Sequence, residues 1–171
     1  MKLSYLSLIL LILLASCSRK SEKELYDEGR EQQEQKNFQL AIERFQEVVE
    51  KFPQTAYAET SQYLIAIIYN NDLHDTRKAV TAYQKFYTLF PLSAEAPNAL
   101  FLTGFLYNNE LHNIDSARIA YEAFLQRYPA HALAVSAKFE VETLGKDPTQ
   151  VLQLQAATES ESKEQSNTTK Q

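Results

Sequence analysis

The residues with the clearest potential for chemistry lie in a short stretch that occurs twice. The segment YNNDLHD, residues 69–75, returns 38 residues later as YNNELHN, residues 107–113. Acid and histidine side chains can hold a metal ion or move a proton. His74 and His112 stand one repeat apart, and equivalent positions in stacked helix pairs are separated by roughly 10 to 20 Å, given helix spacings of about 10 Å. Asp72 and His74 alone supply too few ligands for a metal, so we interpret the stretch as a repeated surface turn.

Other signatures of catalysis are missing from the sequence. It contains no GxSxG, no HExxH and no glycine-rich phosphate loop, and the acids are scattered along helix faces as on solvated surfaces. We therefore predict no enzymatic activity, no cofactor and no bound metal. The alternative from a different class is a periplasmic small-ligand or metal-binding protein that uses His74, His112 and the tyrosines.

The N-terminus has the pattern of a secretion signal. Lys2 gives a positive start, and residues 3–14 form a mostly apolar run that is too short to span a bilayer comfortably. The residues Leu14-Ala15-Ser16-Cys17 resemble the lipobox of bacterial lipoproteins, which implies cleavage after residue 16 and acylation of Cys17 with palmitate-like chains. A free thiol in an uncleaved signal, or a secreted protein with a leftover cysteine, are the alternatives. Several acyl chains would hold the protein stably, since one chain binds only marginally.

The charge balance points to protein partners. The formal charge is -5, and removal of residues 1–16 deletes Lys2 and no acid, which gives -6. Nucleic-acid binding depends on Lys and Arg that neutralise phosphates, and the sequence has no basic run. We expect other proteins as partners, with no nucleic acid and no small-molecule substrate.

The chain after the signal repeats with the same period of 38 residues. The repeated positions are an alanine, an aromatic residue four positions later, and an aromatic-proline pair: Ala41, Phe45 and Phe52-Pro53; Ala79, Tyr83 and Phe90-Pro91; Ala117, Tyr121 and Tyr128-Pro129. Periods of 20 to 50 residues indicate stacked structural units. Apolar residues at spacings of three and four predict that each unit is helical.

The repeated turn separates the two helices of each unit. Four residues before the repeated alanines stand Asn37, Asp75 and Asn113, which we predict to cap the second helices. Leu73 and Leu111 are expected to pack under the turn. Asparagines stand where the first helices end, a place where asparagine tolerates left-handed backbone angles: Asn70, Asn71, Asn108 and Asn109.

The unit of helix, turn, helix and aromatic-proline resembles the tetratricopeptide repeat, with Gly29, Ala66 and Gly104 at the small position of the first helices. Family units usually have 34 residues, and the extra ones here lie partly after the proline and partly in the YNNxLH turn. The resemblance implies an all-α fold, an α-solenoid of three tetratricopeptide-like helix pairs plus a capping helix. The expected helices are 22–36 and 38–52, 55–71 and 75–90, 93–109 and 113–128, and a last one at 131–145.

This organisation predicts four segments. They are a lipoprotein signal peptide at 1–16, a lipidated N-terminus with a short linker at 17–21, the repeat domain at 22–145, and a polar tail at 146–171. In the tail, Asp147-Pro148 can start a short helix through Leu154, and the residues from Ala156 on should be disordered. In the capping helix Lys138, Glu140 and Glu142 replace residues that are Leu100, Leu102 and Gly104 one repeat earlier, which predicts a polar outer face.

The resemblance also implies a binding groove, because the first helices of such units line the concave side. Aromatic residues beside amides suit a peptide or helix of another protein. For Phe101 and Phe105 core packing is the alternative, whereas Tyr26 and Tyr63 are expected at the surface, where tyrosine keeps its hydroxyl in water. Counted from the small positions, the groove residues are Tyr26, Arg30 and Gln33; Thr60, Tyr63, Ile67 and Asn70; and Asn98, Phe101, Phe105 and Asn108.

A first helix opened by FPLSAEAPNALFLTG, residues 90–104, is typical of envelope repeat proteins of the BamD (YfiO-like) and YbgF types, and the similarity covers about residues 22–145. It implies a membrane-anchored, non-catalytic scaffold with a BamD-like role in outer-membrane protein assembly. A YbgF-like Tol-Pal coordinator and a pilus-assembly pilot lipoprotein are the alternatives. BamD-type proteins carry about five repeats, so three hold only part of that surface. Ser18 after the cysteine favours the outer membrane.

Overall fold

The described part of the chain is all helical. The computed structural model describes residues 20–147 and 149–153, which contain no strand, and none of their helices is long and apolar enough to cross a membrane. The helices are α1 Glu22–Glu34, α2 Phe38–Lys51, α3 Ala56–Ile67 with a π-helical turn at Ile68–Asp72, α4 Thr76–Leu89, α5 Ala96–Asn109, α6 Ile114–Arg127 and α7 Ala134–Thr143.

Helices that are neighbours in sequence pack against each other. α1 contacts α2, α5 contacts both α4 and α6, and α6 contacts α7. This pairwise packing of adjacent helices confirms the predicted α-solenoid fold class. The chain forms two compact units, which we call the first unit (through Ile65) and the second unit (from Ala66).

Each unit is built around the repeated alanines and aromatics. Ala41 and Phe45 are fully buried in the first unit, and Ala117, Tyr121 and Phe124 are fully buried in the second. The alanines leave room for a close helix crossing, which the rings then fill. At Gly29 and Gly104 the ring of Phe45 or Tyr121 lies where a side chain would otherwise stand.

The aromatic-proline pairs end the second helices in the same way each time. Phe52, Phe90 and Tyr128 follow α2, α4 and α6 with φ of -135°, -125° and -130°, and their amides still donate to carbonyls of the last helical turn. A residue before proline is excluded from the helical region by the proline ring, so each helix stops at the aromatic residue.

Two of the three predicted helix caps form the expected hydrogen bond. Asp75 and Asn113 accept hydrogen bonds from the amides of Lys78 and Ser116, as predicted. Asn37 accepts no such bond, and its side-chain amide donates to Gln32 Oε1.

Helix α1 is capped by Ser21, for which no prediction was made. Ser21 Oγ accepts from the amide of Glu24, and the Glu24 carboxylate accepts from the Ser21 amide. This reciprocal capping box satisfies two backbone donors at the start of α1.

The repeated turn has a left-handed residue, but at a different position from the one predicted. Among the described non-glycine residues, positive φ occurs at Lys36, His74 and His112, with values of 61°, 50° and 49°. The prediction that placed such angles at Asn70, Asn71, Asn108 and Asn109 is therefore wrong. These asparagines still belong to the ends of the first helices, and the chain reverses only at the residue before each capping position.

The second and third turns are wider than the first. The Asn37 amide donates to the Gln32 carbonyl five residues back, whereas the Asp75 amide donates to Tyr69 six residues back. Asn113 repeats the wider bond with Tyr107, so the extra residue of the repeat is absorbed here. Leu73 remains 40% exposed, which contradicts its expected packing under the turn.

Two first helices begin later than predicted. α5 starts at Ala96 and α7 at Ala134, because the residues after each aromatic-proline pair form separate turns. Lys138 and Glu142 are exposed on α7 as expected, but Glu140 is half-buried and contacts α5, so the prediction of a polar outer face is wrong for this residue.

Residues 149–153 are helical, and the Asp147 carboxylate caps them by accepting from the Thr149 and Gln150 amides. Pro148, Leu154 and the tail that follows lie outside the described residues, as does Cys17.

Candidate partner-binding surface

The predicted groove residues of α1 form a local cluster. The half-buried Tyr26 ring lies 5.8 Å from Phe45 and 5.1 Å from Tyr57, measured between ring centroids. Arg30 Nη1 donates to Gln33 Oε1 at 3.0 Å. Tyr26 therefore supports the core with one face, and sequence reasoning missed Tyr57 as its neighbour. An aromatic residue at the start of α3 was the available signal.

The other groove residues of the first unit lie on α3. Thr60 is exposed, and its hydroxyl donates back to the Ala56 carbonyl at 2.9 Å. Tyr63 is half-buried. Both positions keep contact with solvent, as the groove prediction requires.

In the second unit the predicted residues start at the end of α3. Ile67 and Asn70 are half-buried, and Asn70 Nδ2 donates to Asn71 Oδ1 at 2.7 Å. The amide of Asn70 is thus engaged within its own turn rather than presented to a groove.

The four predicted residues of α5 form one stripe. Asn98, Phe101, Phe105 and Asn108 follow spacings of three, four and three, which place them on a single helix face. Phe105 is 40% exposed, whereas Phe101 is half-buried and contacts the core. We call this set the α5 stripe.

Phe101 belongs partly to the core of the second unit. Its ring centroid lies 5.4 Å from Tyr121 and 5.8 Å from Phe124, both in edge-on geometry. Core packing, the alternative considered for Phe101 and Phe105, therefore holds for much of Phe101 and much less for Phe105.

Both amides of the α5 stripe bind carboxylates. Asn98 Nδ2 donates to Glu95 Oε2 at 2.8 Å, and Asn108 Nδ2 donates to Glu140 Oε2 on α7 at 3.3 Å. The two acids were not predicted as site residues. Glu95 carried no signal beyond its place before α5, and Glu140 stands where the preceding unit has leucine.

The Glu140 carboxylate also affects a buried tyrosine. Tyr121 is fully buried, and its hydroxyl has no hydrogen-bond partner of normal length among the described residues. Burial, and after it the negative charge of Glu140, raise the pKa of Tyr121 well above its usual range. The hydroxyl stays protonated at every physiological pH.

A shallow groove of about 300 Å³ lies on the first unit between α1 and α2. Its walls include Leu40 and the ion pair of Lys20 with Glu28, in which the atoms Nζ and Oε1 are 2.5 Å apart. The two charges are largely exposed, so the pair contributes little stability. Sequence reasoning did not identify this groove.

The repeated histidines shape the turns through their backbone conformation. His74 and His112 are exposed and supply the left-handed residue of each turn. Within residues 20–147 and 149–153, no three His, Cys, Asp or Glu side chains are placed to share a metal ion.

The sequence was compared with known proteins. No curated protein matches it significantly. Residues 18–147, most of the chain, match the family YfiO, described as "Outer membrane lipoprotein". The match places the protein in the bacterial envelope, lipid-anchored at the outer membrane. The chain belongs to the YfiO family of outer membrane lipoproteins.

Proposed function

We propose that this protein is a non-catalytic scaffold with a BamD-like role in outer-membrane protein assembly. The observation that carries the proposal is the family match over residues 18–147, on a chain whose helices form a solenoid of tetratricopeptide type. Such folds bind other proteins through side chains that the stacked helices present. Cys17 is the proposed lipidated residue, and within each unit the residues predicted for the groove are the proposed partner contacts.

The proposed surface has the composition of a protein-binding site. Phe105 is a large apolar side chain left 40% exposed, and amides flank it on the same helix face. Aromatic residues surrounded by polar ones are enriched at protein interfaces. In the first unit, Tyr26 and Tyr63 are aromatic residues of the same predicted set.

Site-specific photocrosslinking in native membranes tests the proposal. A photoreactive phenylalanine analogue replaces Phe105 in one variant and Ile119 in the matched control. Ile119 is 69% exposed on α6, the second helix of its pair, which carries none of the predicted groove residues. We expect adducts with an outer-membrane barrel-assembly protein from position 105 and none from position 119.

Other outcomes redirect the function or the site. Adducts from position 105 with Tol-Pal or pilus components contradict the BamD-like role and support the corresponding alternative. Adducts with barrel-assembly proteins from position 119 alone keep the role and reject the groove.

A further inference from the structure

The two ends of the α5 stripe carry the same arrangement of a carboxylate and an amide. Asn98 binds Glu95 and Asn108 binds Glu140. The two asparagines are ten residues apart, which at 1.5 Å per residue is about 15 Å along the helix. Phe101 and Phe105 lie between them, so the stripe presents an acid, two rings and a second acid.

Neither carboxylate has a basic partner among residues 20–147 and 149–153. The ion pair found in the second unit joins Lys78 to Asp75, and no described Lys, Arg or His reaches Glu95 or Glu140. An ionised carboxylate can accept about four hydrogen bonds, and the asparagine amide provides one to each acid. Both side chains are only half-buried, so capacity for a cationic donor remains at each end.

The rings between the acids determine the rest of the ligand. Phe105 exposes 40% of its surface, and Phe101 is fixed against Tyr121 and Phe124. An apolar side chain that covers Phe105 removes surface from water on both partners. Basic side chains near the rings gain further attraction from the ring faces.

We propose that the α5 stripe binds a segment of another protein that carries two basic side chains, spaced like Asn98 and Asn108 by about 15 Å, with an apolar side chain between them. This inference rests on the proposed scaffold function and adds the chemistry of the partner. An extended segment covers that distance in four to five residues, at about 3.3 Å each, and a helix covers it in ten.

Charge complementarity favours another protein over the chain's own tail. The tail has three lysines, Lys146, Lys163 and Lys170, and the last two have only polar and acidic residues between them, EQSNTT. Lys146 and Lys163 are 17 residues apart, more than the four to ten residues that the proposed segment needs, so the tail has no pair of lysines at the required spacing around an apolar residue.

Peptide titration with the purified full chain in detergent micelles tests the inference. The probes are fluorescently labelled synthetic peptides with two lysines around a leucine, one at the extended spacing and one at the helical spacing. In matched control peptides both lysines are replaced by glutamine. We expect at least one lysine peptide to bind ten or more times more tightly than its glutamine control, with weaker binding as salt rises, because salt screens partly exposed charges.

Variants assign that preference to the two acids. Glu95→Gln with Glu140→Gln keeps an acceptor for each asparagine amide but removes both charges, so the lysine preference should fall to less than threefold. The matched control, Glu122→Gln with Glu142→Gln, removes two exposed charges of the same unit and should keep the preference. Thermal melting of both variants verifies that they are folded.

Three outcomes overturn the inference. They are equal binding of the lysine and glutamine peptides, an unchanged preference in the Glu95 and Glu140 variant, and a shift of the oligomeric mass by that variant, which would identify a second copy as the occupant. Photocrosslinking from position 105 is scored separately. If it recovers a barrel-assembly protein from both the parent and the charge variant, the scaffold function stands and the charge recognition falls.

Discussion

In both units an aromatic ring packs against a glycine where two helices cross, but the two rings are positioned differently. In the first unit Gly29 on α1 faces Phe45 on α2, and in the second Gly104 on α5 faces Tyr121 on α6. A methyl group added at Gly29 would lie 2.6 Å from Phe45 Cε1, and one added at Gly104 would lie 2.9 Å from Tyr121 Cδ1 and Cε1. At both glycines a ring occupies the space that a side chain would take, so a larger residue must displace the ring.

The rings sit differently over their glycines. At Gly29 the third-nearest ring atom is Cζ, at the outer end of Phe45, whereas at Gly104 it is Cγ, at the inner end of Tyr121. The Tyr121 ring thus extends further past its glycine, and its hydroxyl lies close enough to Glu140 for the carboxylate to affect its pKa. The position that corresponds to Glu140 in the first unit is Leu64.

The two units therefore share the packing of a ring against a glycine and differ in the polar groups around that ring. The close contact of ring and glycine is common to both units and serves the fold. The hydroxyl and the carboxylate occur only in the second unit, where Glu140 also binds Asn108 of the α5 stripe. The second unit therefore connects its core to the surface that we propose as the partner site.

The largest expected effect tests the part that the units share. Ala41→Glu and Ala117→Glu each place a charge at a fully buried helix crossing, and an unpaired buried charge costs roughly 3 to 5 kcal/mol. We expect both variants to lose most of their stability in urea titrations followed by circular dichroism, since domains are stable by only about 5 to 15 kcal/mol.

Exposed positions on the same helices provide the control. Gln46→Glu on α2 and Gln126→Glu on α6 add the same charge at exposed positions. Their free energies of unfolding should stay within about 0.5 kcal/mol of the parent value. If either buried variant is as stable as the parent, its alanine does not lie at the helix crossing that the repeat predicts.

A smaller effect tests the glycines. Gly29→Ala and Gly104→Ala push a methyl group into a buried ring, and overpacking of this kind costs about 1 to 3 kcal/mol. Alanine favours a helix over glycine by about 1 kcal/mol, which offsets part of that cost. We expect a net loss of roughly 1 kcal/mol at each position by urea denaturation. A gain in stability at either glycine would mean that its ring moves aside freely, and the comparison between the units would fail there.

Much of this architecture could be predicted from the sequence because it depends on local patterns. The 38-residue period, the small residues at the crossings and the caps at Asp75 and Asn113 follow from residue type and spacing. The left-handed residues could not be predicted, since His74 and His112 adopt that conformation for the sake of a turn whose width is set by backbone hydrogen bonds.

The acids of the candidate site were missed for a different reason. Glu140 replaces a leucine of the repeat, and in sequence such a change looks like a solvent-facing position. Its contacts with Asn108 and Tyr121 depend on where α5, α6 and α7 meet, which no local pattern encodes. Asn108 was predicted as a groove residue. Its amide already binds Glu140, and this contact also depends on how α5 and α7 pack.

The smallest effect isolates the polar difference between the units. Tyr121→Phe removes a buried hydroxyl that has no hydrogen-bond partner of normal length among the described residues, and should change stability by less than about 1 kcal/mol at neutral pH. Phe45→Tyr creates a buried hydroxyl in the unit that has Leu64 at the repeat position of Glu140, and should cost about 1 kcal/mol or slightly more. Urea titrations at pH 7 measure both changes.

The same pair predicts an alkaline difference whose sign follows from proton linkage. Because the folded pKa of Tyr121 is raised, the unfolded chain releases this proton first as the pH passes the ordinary tyrosine value of about 10, and stability falls from there upward. Tyr121→Phe lacks this contribution, so its stability should decline less steeply than that of the parent above pH 10. Phe45→Tyr should decline more steeply than the parent, since it adds a further buried phenol to those of Tyr83 and Tyr121. If all three proteins follow one curve, the phenol of Tyr121 ionises freely in the folded state, and the buried connection between the core and Glu140 does not exist.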